Sequence, residues 1–235
     1  MIKKFIDVNN YTPKTIDDIV FSSPQSKLLI QQLVSNQRGF PIHEGKCGIL
    51  LYGVPGTGKS ALAKILPDAM EQARSNQNAN GRYINVLPNE NGLNMLSEIA
   101  TQSQLIPFAT NHYFVLDEVD NLNAAAMKML KSVMNAPDSV FILTTNKWSS
   151  IDAGVKSRCH CVAFNAAPPE NWLPLARRML ADCGVSGVSD QQLLPIIAAG
   201  KGCARDITDF IVSIISMAQS FTSNLEEHTL AVATN

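Results

Sequence analysis

Several features are scarce in this 235-residue chain, and each scarcity removes a class of protein. Charge of either sign is not in excess: 19 Lys and Arg stand against 20 Asp and Glu, a formal net charge of −1. The chain therefore has no global basic field, and any nucleic-acid contact must come from a local patch. No apolar run approaches the roughly 18–20 residues needed to cross a bilayer. The opening Met1-Ile2-Lys3-Lys4-Phe5-Ile6 reaches Asp7 too soon to hold the apolar core of a signal peptide. A cytoplasmic or nucleoid-associated protein with no membrane partner is expected. Cysteine is sparse and odd in number, at 5, and only Cys159 and Cys161 are close. No second pair completes a tetrahedral zinc site. C-x-C on a strand points both side chains to one face, which suits burial, so these read as reduced thiols. The chain holds no internal repeat and no low-complexity tract. What remains is an ordinary globular composition, 46% hydrophobic and 17% charged, long enough for one large domain or one plus a small one.

The most informative stretch is Gly53-Val54-Pro55-Gly56-Thr57-Gly58-Lys59-Ser60. It fits G-x-x-x-x-G-K-[ST], a loop that cradles phosphate. The apolar run Gly48 to Tyr52 before it reads as a buried strand, and Ala61 to Leu66 after it reads as a helix. The glycines let several N–H groups converge on one anion, and the helix adds its positive N-terminal end. Lys59 supplies a point charge for outer phosphates, and Ser60 a hydroxyl for Mg²⁺.

A second stretch, His112-Tyr113-Phe114-Val115-Leu116-Asp117-Glu118, runs four apolar residues into adjacent carboxylates. In a parallel sheet, ligands bind at the carboxyl ends of strands. Asp117 then shares an edge with the phosphate loop and binds Mg²⁺ directly or through water, while Glu118 is placed to polarise a water. Two neighbouring carboxylates repel unless a cation intervenes. Val140 to Leu143 reads as another buried strand ending in Thr144-Thr145-Asn146, where an amide is placed to orient the water or the outer phosphate. Asn123 is placed to cap a helix from Ala124 to about Asn135 that carries Lys128 and Lys131.

Ser23-Pro24 signals a helix to about Ser35. Arg82 to Leu87 alternates like a strand, Gly92 to Gln104 has helical spacing, and Val162 to Phe164 is a last strand. Residues 1 to 23 read as an irregular lead-in centred on Tyr11 to Val20, where Pro13 and the small polar residues argue against a regular element. Strands alternating with helices predict a parallel sheet covered on both faces. After Ala166-Ala167-Pro168-Pro169 the pattern is only helical: Glu170 to Cys183, Ser189 to about Ala199, and about Cys203 to Ala218. The expected fold is α/β, a parallel P-loop sheet covered by helices and followed by a small all-helical lid. The expected domains are 1–166, 167–219 and a flexible tail over 220–235.

Together these pieces resemble the AAA+ ATPases, and within them the small subunits of sliding-clamp loaders, over residues from about 11 to 218. The resemblance makes the phosphate loop a Walker A motif, Tyr113 to Glu118 a Walker B motif, and Asn146 the first sensor. Ser157-Arg158-Cys159 looks like the clamp loaders' S-R-C motif, whose Arg acts in trans on a neighbour's ATP. Gly202-Cys203-Ala204-Arg205-Asp206 resembles the second-sensor segment, which implies that Arg205 contacts phosphate in cis. Tyr11 to Val20 resembles the lead-in around adenine, with Ile19 and Val20 the apolar candidates; Thr12 stands where the family's Tyr-Arg-Pro has arginine. Lys131 falls at a basic DNA contact of the family, with Lys128 one turn back; a solvated helix face accounts for both equally well.

The resemblance implies a Mg²⁺-dependent ATPase switch in DNA replication or repair. ATP contacts are expected from Gly53 to Ala61, Ile19, Val20 and Arg205. Magnesium is expected on Ser60 and Asp117, and catalysis from Lys59, Glu118, Asn146, Arg205 and a neighbour's Arg158. Expected partners are other AAA+ subunits, five or six to an assembly, DNA through a local basic patch, and a ring-shaped clamp or helicase. The family's helical collar has no counterpart in the residues after 218, so assembly is expected to depend on nucleotide, DNA or a partner. A replicative-helicase loader or other DNA-associated remodeller is the alternative. More distant are a non-hydrolysing ATP-binding module and a small-molecule phosphotransferase, which would need an acceptor site and basic lid residues.

Overall fold

The computed structural model describes residues 7–41, 45–88 and 92–233. The signal-peptide reading of residues 1–6 lies outside the described residues. The chain divides into two compact units, one spanning Pro13–Asn165 and the other combining residues up to Thr12 with those from Ala166 onward.

The first unit is built on five parallel strands: β1 (Gly48–Gly53), β2 (Arg82–Asn85), β3 (His112–Asp117), β4 (Ser139–Thr145) and β5 (Cys159–Phe164). Their order across the sheet is β2-β3-β4-β1-β5. From β1 the chain crosses to the far edge, returns through β3 and β4, and places β5 on the other side of β1. Connections therefore diverge around the carboxyl end of β1, the kind of crevice where parallel sheets bind ligands.

The strands are apolar on both faces because both are covered. On one face Ile49, Leu51, Tyr113, Val115, Val140 and Ile142 meet Ile30 and Leu33 of α1 (Pro24–Val34) and Leu62, Leu66 and Met70 of α2 (Lys59–Ser75). On the other, Leu50, Phe114, Leu116, Phe141 and Leu143 meet Leu96 and Ile99 of α3 (Gly92–Gln102), Met127 and Leu130 of α4 (Ala124–Val133), and Val155 of α5 (Ala153–Ser157). The period of two thus sorts each strand's side chains between two cores. Cys159 and Cys161 fall on the same face of β5, as their spacing predicts, with Cys159 buried and Cys161 partly so. Asn123 caps α4 by accepting the Ala126 N–H at 2.9 Å. The lead-in over residues 1–23, expected to lack regular structure, includes among its described residues two short 3₁₀ helices, Val8–Tyr11 and Ile16–Asp18. The latter is closed by Asp18 Oδ2, which accepts the Thr15 N–H and hydroxyl, both at 2.9 Å.

One polar network lies inside this unit. Glu71 of α2 is fully buried. Its carboxylate accepts hydrogen bonds from the hydroxyls of Ser75 (2.6 Å), Thr110 (2.6 Å) and Tyr113 (2.8 Å) and from the Thr110 N–H (2.9 Å). Burial pushes the Glu71 acid up, but these four donors outweigh it and hold the group below its ordinary value of 4.5. The folded state thus binds the proton less tightly than the unfolded state. The stabilisation is complete above the unfolded value and fades as pH falls through the folded one. Glu71→Gln is expected to cost about 2–4 kcal/mol at pH 7, since a buried charged acceptor loses its bonds. The gap from the parent should narrow in denaturant melts run below pH 4.

The second unit is all-helical: α6 (Leu173–Asp182), α7 (Asp190–Ala199) and α8 (Ala204–Ala233). Its core contains Trp172, Ala176, Met179, Leu193, Ile197, Ile207, Ile211 and Ile215. Ser189 caps α7 in a capping box with Gln192. Three features differ from the sequence expectation. The helix expected from Glu170 begins at Leu173, preceded by a 3₁₀ turn over Pro169–Trp172; Pro174 sits in the first turn of α6, the place a helix tolerates proline. The third helix, expected to end near residue 218, continues to Ala233; no Gly or Pro follows Gly202 to stop it. Residues 7–12, expected in the domain 1–166, group with the helical unit. The Tyr11 hydroxyl donates to Asp182 Oδ2 at 3.0 Å, and the Arg178 guanidinium lies 5.7 Å from the Tyr11 ring centre. Among the described residues, no helix is long and apolar enough to cross a membrane.

Candidate functional site

The loop between β1 and α2 owes its course to three glycines at positive φ: Gly53 (143°), Gly56 (78°) and Gly58 (97°). At Gly53 the need is also spatial, because a Cβ there would stand 2.1 Å from the Phe164 carbonyl oxygen. Thr57 pins the loop from within: its hydroxyl lies 2.9 Å from the Val54 carbonyl and 3.2 Å from that of Phe164. The Lys59 side chain folds back, donating to the carbonyls of Gly53 (3.0 Å) and Val54 (2.6 Å). Burial lowers the Lys59 ammonium pKa, while the facing carboxylates of Asp117, Asp120 and Glu118 push it back up. Val54 and Pro55 are exposed at the tip; Ala61 is half-buried behind it.

Sheet register brings the second motif to the same edge. β1 pairs with β4 so that Tyr52 lies beside Thr145, and β3 pairs with β4 so that Leu116 lies beside Leu143. Asp117 and Thr144 therefore follow at adjacent strand ends. The Ser60 hydroxyl donates to Asp117 Oδ1 at 2.9 Å, across 57 residues of chain. The Thr144 hydroxyl donates to the same oxygen and accepts the Glu118 N–H at 3.0 Å. The Tyr83 hydroxyl donates to Asp117 Oδ2 at 2.5 Å. Glu118 adopts the left-handed conformation, φ 60°, ψ 47°, uncommon for a residue other than glycine. Its carboxylate accepts from Asn121 Nδ2 at 3.3 Å. Asp120 ties this turn to the end of β4, accepting from the Thr145 hydroxyl at 2.9 Å and the Asn146 N–H at 3.4 Å.

The structure thus brings Lys59, Ser60, Asp117 and Glu118 into one polar cluster at the carboxyl edge of the sheet. Asn146 stands beside it, with its backbone fixed and its side chain exposed. These groups fit a nucleoside triphosphate with magnesium. Three glycines at positive φ curl the loop, one ammonium is held at it, and a hydroxyl and a carboxylate lie together as hard oxygen donors. Ile19 is buried in the core and Val20 half-buried. Arg205 is exposed in the first turn of α8, in the helical unit. Lys128 is exposed on α4, and the stem of Lys131 lies over Gly154, where an added Cβ would come within 2.3 Å of its Cδ.

Arg158 is elsewhere. It follows α5 and precedes β5, and its carbonyl accepts the N–H groups of Cys47 and Gly48, both at 3.0 Å. It therefore lies at the amino end of β1. Its guanidinium donates to Asn135 Oδ1 (2.9 Å) and to the Gly154 carbonyl (3.0 Å).

Sequence reasoning missed Tyr83, Thr144, Asp120 and Asn121. Asp120, three residues beyond Asp117, was open to view; Tyr83 lies on a strand remote in sequence and carries no local signal.

Residues 49–165 match the family described as ATPase family associated with various cellular activities (AAA). Residues 49–165 are thus an AAA ATPase domain, and the chain is a P-loop ATPase. No curated protein matches it in sequence. Among solved structures it is similar to a mutant RuvB of Thermotoga maritima (TM-score 0.70, 16% identity, covering 91% of this chain and 68% of that one). It is also similar to Thermotoga maritima RuvB described as a Holliday junction branch migration motor (TM-score 0.67, 16% identity, 90% and 67%). A third similarity is to PCH-2 of C. elegans (TM-score 0.56, 15% identity, 90% and 73%).

Proposed function

We propose that this ATPase is an oligomeric switch on DNA, clamp-loader-like, with each ATP hydrolysed between two subunits. The position of Arg158 carries the reading. Gly48 and Gly53 are the two ends of β1, and five strand steps of about 3.3 Å separate them by roughly 17 Å. Arg158 is bonded at the first end and the phosphate loop leaves from the second. That span exceeds the reach of an arginine side chain, so its natural target is the phosphate of a neighbouring copy. A heterologous contact of this kind closes into a ring of roughly five or six subunits when the rotation permits.

In this reading Lys59 and the loop N–H groups hold the outer phosphates, and Ser60 and Asp117 hold magnesium. Magnesium when bound would offset charge building on the phosphates. Glu118 takes the proton of the attacking water, Asn146 orients that water, and Arg205 senses the nucleotide. A neighbour's Arg158 stabilises the charge that develops on the γ-phosphate. Ile19 and Val20 pack near the base, and Lys128 and Lys131 are placed to meet duplex phosphates. A clamp or a helicase is the ring handled, in replication or repair. The likeness to a branch migration motor supports a second reading, in which the assembly moves DNA itself.

The test is the solution mass of a Glu118→Gln protein, with and without ATP·Mg²⁺ and primed DNA. Growth to five or six subunits is the expected result. A monomer under every condition overturns self-assembly and would mean that ring assembly needs a partner.

A further inference from the structure

Tyr83 has no place in the readings above, yet it touches the centre of the site. It lies on the edge strand β2, 39% exposed. Its ring packs under the Lys64 ammonium, 4.6 Å from the centroid, a favourable cation–π arrangement. Its hydroxyl donates to Asp117 Oδ2 at 2.5 Å.

The division of labour on Asp117 is what gives that bond meaning. Oδ1 faces Ser60 at 2.9 Å and also receives the Thr144 hydroxyl. Oδ2 receives Tyr83. The final torsion of an aspartate is broad and close to two-fold, so packing alone does not fix the plane of the carboxylate. Hydrogen bonds to both oxygens do, and such charge-assisted bonds are the strong ones. The Tyr83 bond joins β2 to the end of β3, and Lys64 of α2, one turn beyond Ser60, holds the ring from above. One hydroxyl thus links the orientation of the acid to the helix that carries the phosphate loop.

We propose that Tyr83 is a positioning residue for the magnesium-organising carboxylate of this ATPase, holding Asp117 Oδ1 toward Ser60 by fixing Oδ2. This rests on the reading that Ser60 and Asp117 hold the metal. Outer-sphere partners of metal-binding groups typically contribute on the order of 10- to 100-fold in metal affinity.

The experiment compares the parent protein with Tyr83→Phe and Asp117→Asn. Phenylalanine keeps the ring under Lys64 and removes only the donor. Binding of a fluorescent ATP analogue is titrated with Mg²⁺ from a chelated start, and steady-state hydrolysis is measured over the same range. For Tyr83→Phe, analogue affinity without Mg²⁺ should stay within about twofold of the parent. The Mg²⁺ midpoint should rise about tenfold in both titrations, and turnover at saturating Mg²⁺ should fall by a smaller factor. Asp117→Asn should lose the Mg²⁺ response. If Asp117→Asn loses that response and Tyr83→Phe keeps the parental midpoint, the role of Tyr83 is overturned while the metal site stands. Equal weakening of Tyr83→Phe with and without Mg²⁺ overturns it too, because the ring edge would then serve only structure. If Asp117→Asn keeps a normal response, the metal reading fails and the inference fails with it.

Discussion

A Glu118→Gln protein is expected to bind ATP with near-parental affinity and to hydrolyse it on the order of 10²–10⁴ times more slowly, the usual worth of a positioned general base. The substitution is nearly isosteric, so what it removes is the capacity to accept a proton. The backbone conditions that place Glu118 do not involve its acid group. Its left-handed conformation is held by the N–H bond to the Thr144 hydroxyl, while Asp117 is held separately by Ser60, Thr144 and Tyr83. A residue other than glycine in that conformation costs of order 1–3 kcal/mol and persists because its surroundings over-determine it. Asn121, 3.3 Å from one carboxylate oxygen, finds an acceptor on the amide of glutamine as well. The measurement is single-turnover hydrolysis of pre-bound ATP beside an equilibrium binding curve. Parental turnover with intact binding would remove Glu118 from the chemistry and turn attention to Asp120, whose carboxylate also faces Lys59.

Gly53→Ala is expected to be severely damaging. The added Cβ would lie 2.1 Å from the oxygen and 2.6 Å from the carbonyl carbon of Phe164, both backbone atoms at the end of β5. No side chain can swing aside to make room. Relief requires β1 and β5 to separate where they are paired, Gly53 beside Phe164. That separation would also disturb the Thr57 bond to Phe164 and the Lys59 bond to Gly53. The φ of 143° adds strain of its own. A loss of at least about 3 kcal/mol in denaturant melts is expected, together with loss of ATP binding. Gly58→Ala is the control. Its φ is 97°, but an added Cβ meets nothing within 4 Å, so its cost should stay near the strain alone, about 1–2 kcal/mol. Similar costs at the two positions would show that close approach is not what makes Gly53 necessary.

Much of this was open to reading in the chain. The phosphate loop announces itself because its chemistry requires glycine, lysine and serine at fixed spacing, with a strand before and a helix after. The carboxylates of Asp117 and Glu118 stand out because four apolar residues lead into them. Helix starts at Ala124 and Asp190 follow from the caps at Asn123 and Ser189, and the start at Pro24 from a proline in the first turn. The α/β class follows from the alternation of apolar runs. These signals are local, and local physics produces them.

The remainder was not local. Which strand lies beside which is decided by the packing of two helical layers, and that packing places Asp117 against Ser60 and Thr144. Tyr83 could not be found from its neighbours, since what makes it notable is a carboxylate 34 residues away. Glu71 carries no signal in the sequence, and only the approach of Thr110 and Tyr113 makes it a buried, bonded carboxylate. The motif around Arg158 was visible, but its distance from its own phosphate loop was not. That distance depends on β5 running parallel to β1, so that Arg158 is bonded at the opposite end from Gly53. The sequence by itself thus determined the chemistry available to this ATPase, because each reacting group lies in a motif whose geometry is set within a few residues. The tertiary structure alone decided which groups meet and which are kept apart, because hydrogen bonds and buried contacts between remote segments exist only once the sheet has closed its register.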